Sequence, residues 1–310
     1  MNNICILGSL NMDLVMNVDK MVVVGETILA KSFKKISGGK GANQAVAASR
    51  LGAKVSMIGK LGNDDNGHEI YKCLQSDNVN TQNILQDNVN PTGMAIISVN
   101  AEGNNSIVVV SGSNMNITKE DIQKCSETII NSEIIVAQFE TPVESTIEAF
   151  KIAKKNGVMT VLNPAPASKI CDELMSLTDI IVPNETEAKS ITNIEVENEE
   201  TAKKAAEIFL DKGVRYVIIT LGDKGAVLIS KDQSILIPAY KVKAVDTTAA
   251  GDGFIGALVS NLNISKEDSD MFNALKEAIK FANKVSSLIV QSLGAQTSLP
   301  TMDDVMKSFE

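Results

Sequence analysis

The sequence predicts an α/β fold, a mostly parallel central sheet flanked by helices on both faces, with a small β-sheet lid beside it. Two observations carry this expectation. Apolar runs of strand length alternate with helical patterns, the order that crossover helices between parallel strands produce. Polar turns rich in Gly, Asn and Asp fall at the ends of the strand-like runs, where open α/β sheets gather their ligands. With 310 residues and no repeat, low-complexity tract or Pro/Gly-rich linker, the chain is expected to form one domain, 1–310, with a sizeable core.

The elements follow in order. The start, Met1 to Gly8, has no basic segment ahead of its short apolar stretch, so it is expected to be a first strand and not a signal peptide. Val22 to Ile36 is β-like without a helix nearby. Met94 to Ser111 is expected to be two strands joined by Ala101-Glu102-Gly103-Asn104-Asn105, where Gly and Asn supply the conformations of a tight reversal. Together they place a small sheet outside the main one, with segments of about 13–36 and 93–111 inserted in the domain. Such a sheet is a surface flap, a lid over a cleft or a face for dimer formation. The main rhythm then runs through a strand at Val158 to Leu162, another at Asp179 to Val182, a helix at Thr201 to Lys212 and a strand at Tyr216 to Leu221.

Composition removes several classes of function. Hydrophobic residues make up 44% and charged residues 22%, and no apolar run approaches the ~18 to 20 residues that span a bilayer. No membrane partner is expected. A formal charge of -9 and the absence of Trp argue against nucleic acid, whose phosphates are bound by neutralising cations. Cys5, Cys73, Cys125 and Cys171 are widely spaced with no Cys-x-x-Cys pair, which suits free thiols in a reducing compartment, so a cytoplasmic location is expected. The one histidine, His68, falls beside Gly67 in a stretch that looks like a loop, which excludes a His-rich metal site.

The strongest chemical signal is Asp246-Thr247-Thr248-Ala249-Ala250-Gly251-Asp252 ahead of a helical pattern. Small residues before a helix let an anionic ligand approach free backbone N–H groups. Asp252 is either a helix-start carboxylate or a base, and phosphoryl transfer needs a base beside such an anion hole. Ser37-Gly38-Gly39-Lys40-Gly41-Ala42-Asn43-Gln44 is a glycine-rich loop that fits neither a Walker motif nor Gly-x-Gly-x-x-Gly. It is a flexible turn or a backbone open to a hydroxyl-rich ligand beside Lys40 and Asn43. Gly8 to Asp13 and Asn184 to Glu187 are polar clusters after strands, and Thr220 to Gly225 is a hairpin turn or a nucleotide turn. Gly62 to Gly67 lacks the ligand spacing of a calcium loop and is taken as a turn.

In order along nearly the whole chain, Gly38 to Ala45, Asn163-Pro164-Ala165-Pro166, Pro183 to Glu187 and Asp246 to Asp252 resemble the ribokinase-like (PfkB) carbohydrate kinase family. The resemblance implies ATP-dependent phosphorylation of D-ribose at its 5-hydroxyl, giving ribose 5-phosphate and ADP, with Asp252 as general base. It places Asn11, Met12, Asp13, Gly39, Lys40, Gly41, Ala42, Asn43, Glu140 and Asp252 at the sugar. For ATP it implies Asn184, Glu187, Thr220, Leu221, Gly222, Asp223, Lys224, Gly225, Gly251, Asp252 and Asn283, with Glu187 organising Mg2+ and phosphate through water. A K+ site would use Asp246, Thr248, Ile289, Ser292, Gly294 and Ser298, several through carbonyls. A homodimer through the lid is also implied. Gly253 stands where the family often has Thr or Ser, and glycine there loosens the helix start by about 1 kcal/mol. The alternatives are a kinase for deoxyribose, fructose or a nucleoside, or a non-catalytic sugar-binding regulator.

Overall fold

The computed structural model describes residues 2–264 and 268–309. Met1, included in the first predicted strand, lies outside them. Among the described residues, nine strands form the main sheet and four form a second, small sheet. In chain order, β1 (Asn3–Leu7) opens the main sheet, and β2 (Asn11–Asn17) and β3 (Ser32–Gly38) begin the small one. The strands β4 (Lys54–Gly62) and β5 (Asn80–Asp87) return to the main sheet, and β6 (Gly93–Val99) and β7 (Asn105–Val110) complete the small one. The main sheet then takes β8 (Ile134–Ala137), β9 (Met159–Leu162), β10 (Ile180–Ile181), β11 (Tyr216–Thr220), β12 (Ala226–Ile229) and β13 (Ser234–Ile237).

The main sheet runs β13-β12-β11-β10-β9-β8-β1-β4-β5. All neighbours from β11 to β5 are parallel, and the β11–β12 and β12–β13 pairs are antiparallel. β1 lies between β8 and β4, with Ile4 opposite both Ile134 and Val55. A strand buried on both faces reads as a continuous apolar run, and each of its faces feeds a different core. Ile4, Ile6, Ile134 and Val136 join the core under the helices Lys40–Arg50, Ala250–Asn261 and Asp268–Ile289. Their neighbours Cys5, Leu7, Ile135 and Ala137 join the opposite core, with Phe150 and Phe209. Each of those phenylalanines is fully buried and contributes about 2 to 3 kcal/mol by leaving water.

The strands and helix expected between Val158 and Leu221 are present, with ends shifted by one or two residues. So is the hairpin of β6 and β7, closed by Asn100 Oδ1 accepting from the N–H groups of Glu102 and Asn104, with Gly103 at φ 83°.

Three expectations are corrected. Only Ser32 onward in the Val22 to Ile36 stretch is strand, because residues 19–30 pair with no strand and leave Val24 and Leu29 exposed. Asn11, Met12 and Asp13 are not a turn but the first residues of β2, which pairs antiparallel with β3 and parallel with β6. His68 is exposed on the helix Asp65–Ser76, and not in a loop. That helix starts where Asp64 accepts from the Gly67 N–H as N-cap, and it is held by buried Ile70 and Leu74.

Candidate active site

Two glycines decide how closely the helix Lys40–Arg50 meets the end of β1. Gly39, at φ 91°, is its N-cap, and a Cβ there would lie 2.7 Å from the Asn11 backbone N. A Cβ on Gly41 would lie 2.6 Å from the carbonyl carbon of Gly8. With both side chains absent, the Ala42 N–H donates to the Ser9 carbonyl at 3.0 Å, and Lys40 and Asn43 arrive beside the start of β2. Met12 and Ala42, expected at the sugar, are fully buried in the core and present no surface to the cleft.

Asn11 and Asp13 stand at the start of β2, and Glu140 follows β8. Asn114, which the sequence did not single out, orients Asn11: its Nδ2 donates to Asn11 Oδ1 at 2.7 Å while its Oδ1 accepts from the Leu10 N–H at 2.9 Å. Ser9 Oγ donates to Glu140. Burial pushes the Asp13 carboxyl up to about 7, helped by the negative charges of Glu140 and Asp252 and opposed by Lys40. Burial also pulls the Lys40 ammonium down, but the carboxylates of Asp252, Glu140, Glu187 and Asp13 outweigh it and hold Lys40 above the usual lysine range. Lys40 is therefore the cation that an acidic cluster converges on.

Asp252 lies in the first turn of the helix Ala250–Asn261 and is buried. Asn43 Nδ2 donates to its Oδ2 at 2.9 Å, and Gln44 Nε2 donates to its Oδ1 at 3.1 Å. Asn43 Oδ1 is buried without a protein partner among the described residues, an acceptor open to a ligand hydroxyl. Next to Asp252, a Cβ on Gly251 would meet nothing within 4 Å, so the helix start opens onto free space. The first N–H groups of a helix have no partner within it and favour an anion. The N-cap, Ala249, is held at φ 59°, a left-handed conformation that costs a non-glycine residue about 1 to 2 kcal/mol. A Cβ on Gly253 would meet only the side-chain ends of Ile289 and Leu299, the nearest being Ile289 Cδ1 at 2.1 Å, which a rotation of that side chain could relieve.

Facing that helix start, Asn184 and Glu187 form a reciprocal capping box on the helix Glu185–Thr192. Burial, against the Asn184 backbone hydrogen bond and the Lys40 charge, holds the Glu187 carboxyl above the usual range. Asn184 also bridges to Thr220 at the end of β11. A cleft of about 230 Å3 joins these parts, lined by Lys40, Glu187, Thr220, Thr247, Gly251 and Asp252 among others. Two larger depressions open elsewhere, around Arg215 and Ser230 and around Lys54 and Asn131, and neither gathers the motif residues.

The remaining expected positions surround the cleft less closely. Gly222, Asp223 and Lys224 are exposed in the hairpin between β11 and β12, with Lys224 Nζ donating to the Glu197 carbonyl at 2.9 Å. The buried Leu221 donates its N–H to the Gly225 carbonyl at 2.8 Å, closing that turn. Asn283 Nδ2 donates to the carbonyls of Ile237 and Pro238, tying the long helix to the end of β13. Asp246 joins two loops, accepting from Thr248 N–H and Oγ1 on one oxygen and from the Gly294 N–H at 2.9 Å on the other. These donors hold its carboxyl below the usual range despite burial, which opposes them as the largest influence. Ile289 and Ser298 are buried nearby, the Ile289 carbonyl accepts from the Ser292 N–H at 3.1 Å, and Ser298 Oγ donates to Ala295.

A carboxylate set between amide donors, beside an open helix start and a lysine-centred polar cleft, defines the class: an α/β phosphotransferase acting on a hydroxyl-bearing small molecule. The family model for pfkB family carbohydrate kinases matches residues 1–302, and the chain belongs to that family. A ribokinase of Staphylococcus aureus is 47% identical over 305 residues, spanning 98% of each chain. A deoxyribokinase of Salmonella typhi is 37% identical, covering 97% of this chain and 96% of that one. The structure of Arabidopsis thaliana ribokinase complexed with ribose and ATP matches with a TM-score of 0.89 at 32% identity, covering 99% of this chain and 98% of that one.

Proposed function

We propose that this chain transfers the γ-phosphoryl group of ATP to the 5-hydroxyl of D-ribose, giving ribose 5-phosphate and ADP, with Asp252 as general base. The observation that carries the mechanism is the pairing in one helical turn of a buried, amide-held carboxylate with the open backbone at Gly251. Asp252 accepts the hydroxyl proton as the oxygen attacks, and the helix start and Lys40 stabilise charge on the transferring group. The similarity to ribokinases and to a complex with ribose and ATP supports the choice of substrates. Asn11, Asp13, Gly39, Asn43 and Glu140 hold the sugar, because several hydroxyls need several buried partners.

The nucleotide lies against Asn184, Glu187, the Thr220 to Gly225 turn and Asn283. Mg2+, when bound with ATP, neutralises phosphate charge, and Glu187 holds its water shell. K+ would be held by residues of the Asp246–Thr248 and Ile289–Ser298 loops, which the Asp246 to Gly294 bond joins, several of them through carbonyls. The 1–310 chain acts as one domain, and its small sheet closes over ribose as a lid. That sheet pairs with a second copy through the exposed Ile107, Val108 and Val109 of β7. No described helix is long and apolar enough to cross a membrane, and the free cysteines support a cytoplasmic location.

The similarity to a deoxyribokinase favours one second reading, a kinase for deoxyribose. A coupled ADP-release assay over pentoses, hexoses and nucleosides, with potassium or sodium, decides between them. The fastest turnover is expected with D-ribose in potassium; higher kcat/KM for deoxyribose transfers the proposal to that sugar, and no ADP with any alcohol overturns both.

A further inference from the structure

The residues around Asp252 form a chain of amides that leads away from the cleft. Gln44 is fully buried, and its Nε2 donates both to Asp252 Oδ1 at 3.1 Å and to Asn163 Oδ1 at 3.2 Å. Its Oε1 accepts from Nε2 of the fully buried Gln138 at 2.7 Å. Asn163 Nδ2 donates in turn to the Val182 carbonyl at 3.0 Å, so its oxygen is the atom left facing Gln44. An amide can present either a donor or an acceptor to a neighbour. Here Asn163, whose Nδ2 is engaged by Val182, admits only the orientation in which Gln44 presents N–H to the carboxylate, and Gln138 Nε2 then meets the Gln44 oxygen. Gln138 and Asn163 follow directly after β8 and β9, so the anchors belong to the middle of the main sheet. Space for this chain is reserved at Gly8, where a Cβ would lie 2.1 Å from Gln138 Oε1.

We infer that Gln44 is a positioning residue for the base: with Asn43 it clamps the two oxygens of Asp252, while Asn163 fixes the Gln44 amide in its donating orientation and Gln138 holds its oxygen. The inference rests on the role of Asp252 proposed above. Donation to a carboxylate favours its charged form, and a base must be charged to accept a proton. The other charged groups facing Asp252 are Lys40, Asp13 and Glu187, with Glu140 beside Lys40 and Asp13. Lys40 is the one cation of this group, and the amides of Asn43 and Gln44 are the donors that reach the Asp252 oxygens. Apart from Asp252, the Gln44 amide reaches no residue placed at the sugar, so its loss should alter proton acceptance more than sugar affinity.

The test compares kcat and KM across the pH range for the wild type and for Gln44→Met, Gln138→Met and Asp252→Asn, using the sugar the wild type phosphorylates fastest. In Gln44→Met the acid limb of kcat should move up by about one pH unit. Turnover should then be lowered by up to about tenfold at pH values below the wild-type limb, recover above it, and leave KM within about threefold of the wild type. Gln138→Met should move the limb the same way by less, and it serves as the measurement if Gln44→Met does not fold. A fall in kcat by one factor at every pH, or a limb unmoved in both glutamine variants, overturns the positioning role while an inactive Asp252→Asn upholds the base. An Asp252→Asn enzyme with full turnover overturns the base itself.

Discussion

Asp246 and Asp252 lie in one motif, yet the protein holds them in opposite ways. Asp246 is half-buried and is satisfied by backbone N–H groups and a hydroxyl of two adjoining loops. Asp252 is buried and is held by side-chain amides from the helix Lys40–Arg50. The first arrangement ties loop to loop, and the second aims a carboxylate at an open space. The contrast shows that a carboxylate's role depends on which donors reach it, and on what they leave uncovered.

The sharpest way to break the comparison is to remove charge from Asp252. Asp252→Asn should lower kcat by about 100-fold to 10,000-fold and leave sugar affinity, measured by calorimetry, largely intact. Asp246→Ala should act on the framework, lowering unfolding free energy by about 1 kcal/mol through the lost hydrogen bonds to Thr248 and Gly294. Urea titration measures that loss, and the same variant should respond equally to potassium and sodium.

A third carboxylate, Asp13, sharpens the contrast through pH. Its folded pKa of about 7 lies above the ordinary aspartate value of 3.8. The folded state therefore holds this proton more tightly than the unfolded state. The Asp13 contribution to stability is most favourable below the unfolded value and is lost as pH rises through about 7. Sugar binding has the opposite sign if hydroxyls donate to the ionised group. Its KM should rise about tenfold between pH 8 and pH 6, and Asp13→Asn should flatten that dependence. The smallest effect concerns the left-handed Ala249. Ala249→Gly should raise stability by about 1 kcal/mol, seen as a thermal midpoint higher by some ~2 °C.

Much of this was legible because it is local. Strand-length apolar runs marked the main sheet, and the Gly-rich and Asp246 to Asp252 motifs marked both walls of the cleft. What escaped was long-range. Gln44 stood inside a quoted motif with no sign that Asp252 and Gln138, far along the chain, would bracket it. Asn114 carried no signal, since one asparagine outside a motif looks like any turn residue. The strand β2 was hidden because its polar start, Asn11 and Asp13, resembles a turn until β3 and β6 pair with it.

The position of β2 has a consequence for altering the enzyme. Asn11 and Asp13 ride on the small sheet, whereas Asp252 and its amide anchors are fixed by the helices and strand ends of the main one. In the proposed reading, part of the sugar's contacts thus lies on a piece of scaffold separate from the base, while Gly39, Asn43 and Glu140 stay on the main-sheet side with it. An engineer seeking a new sugar can vary Asn11 and Asp13 without touching the residues that hold Asp252.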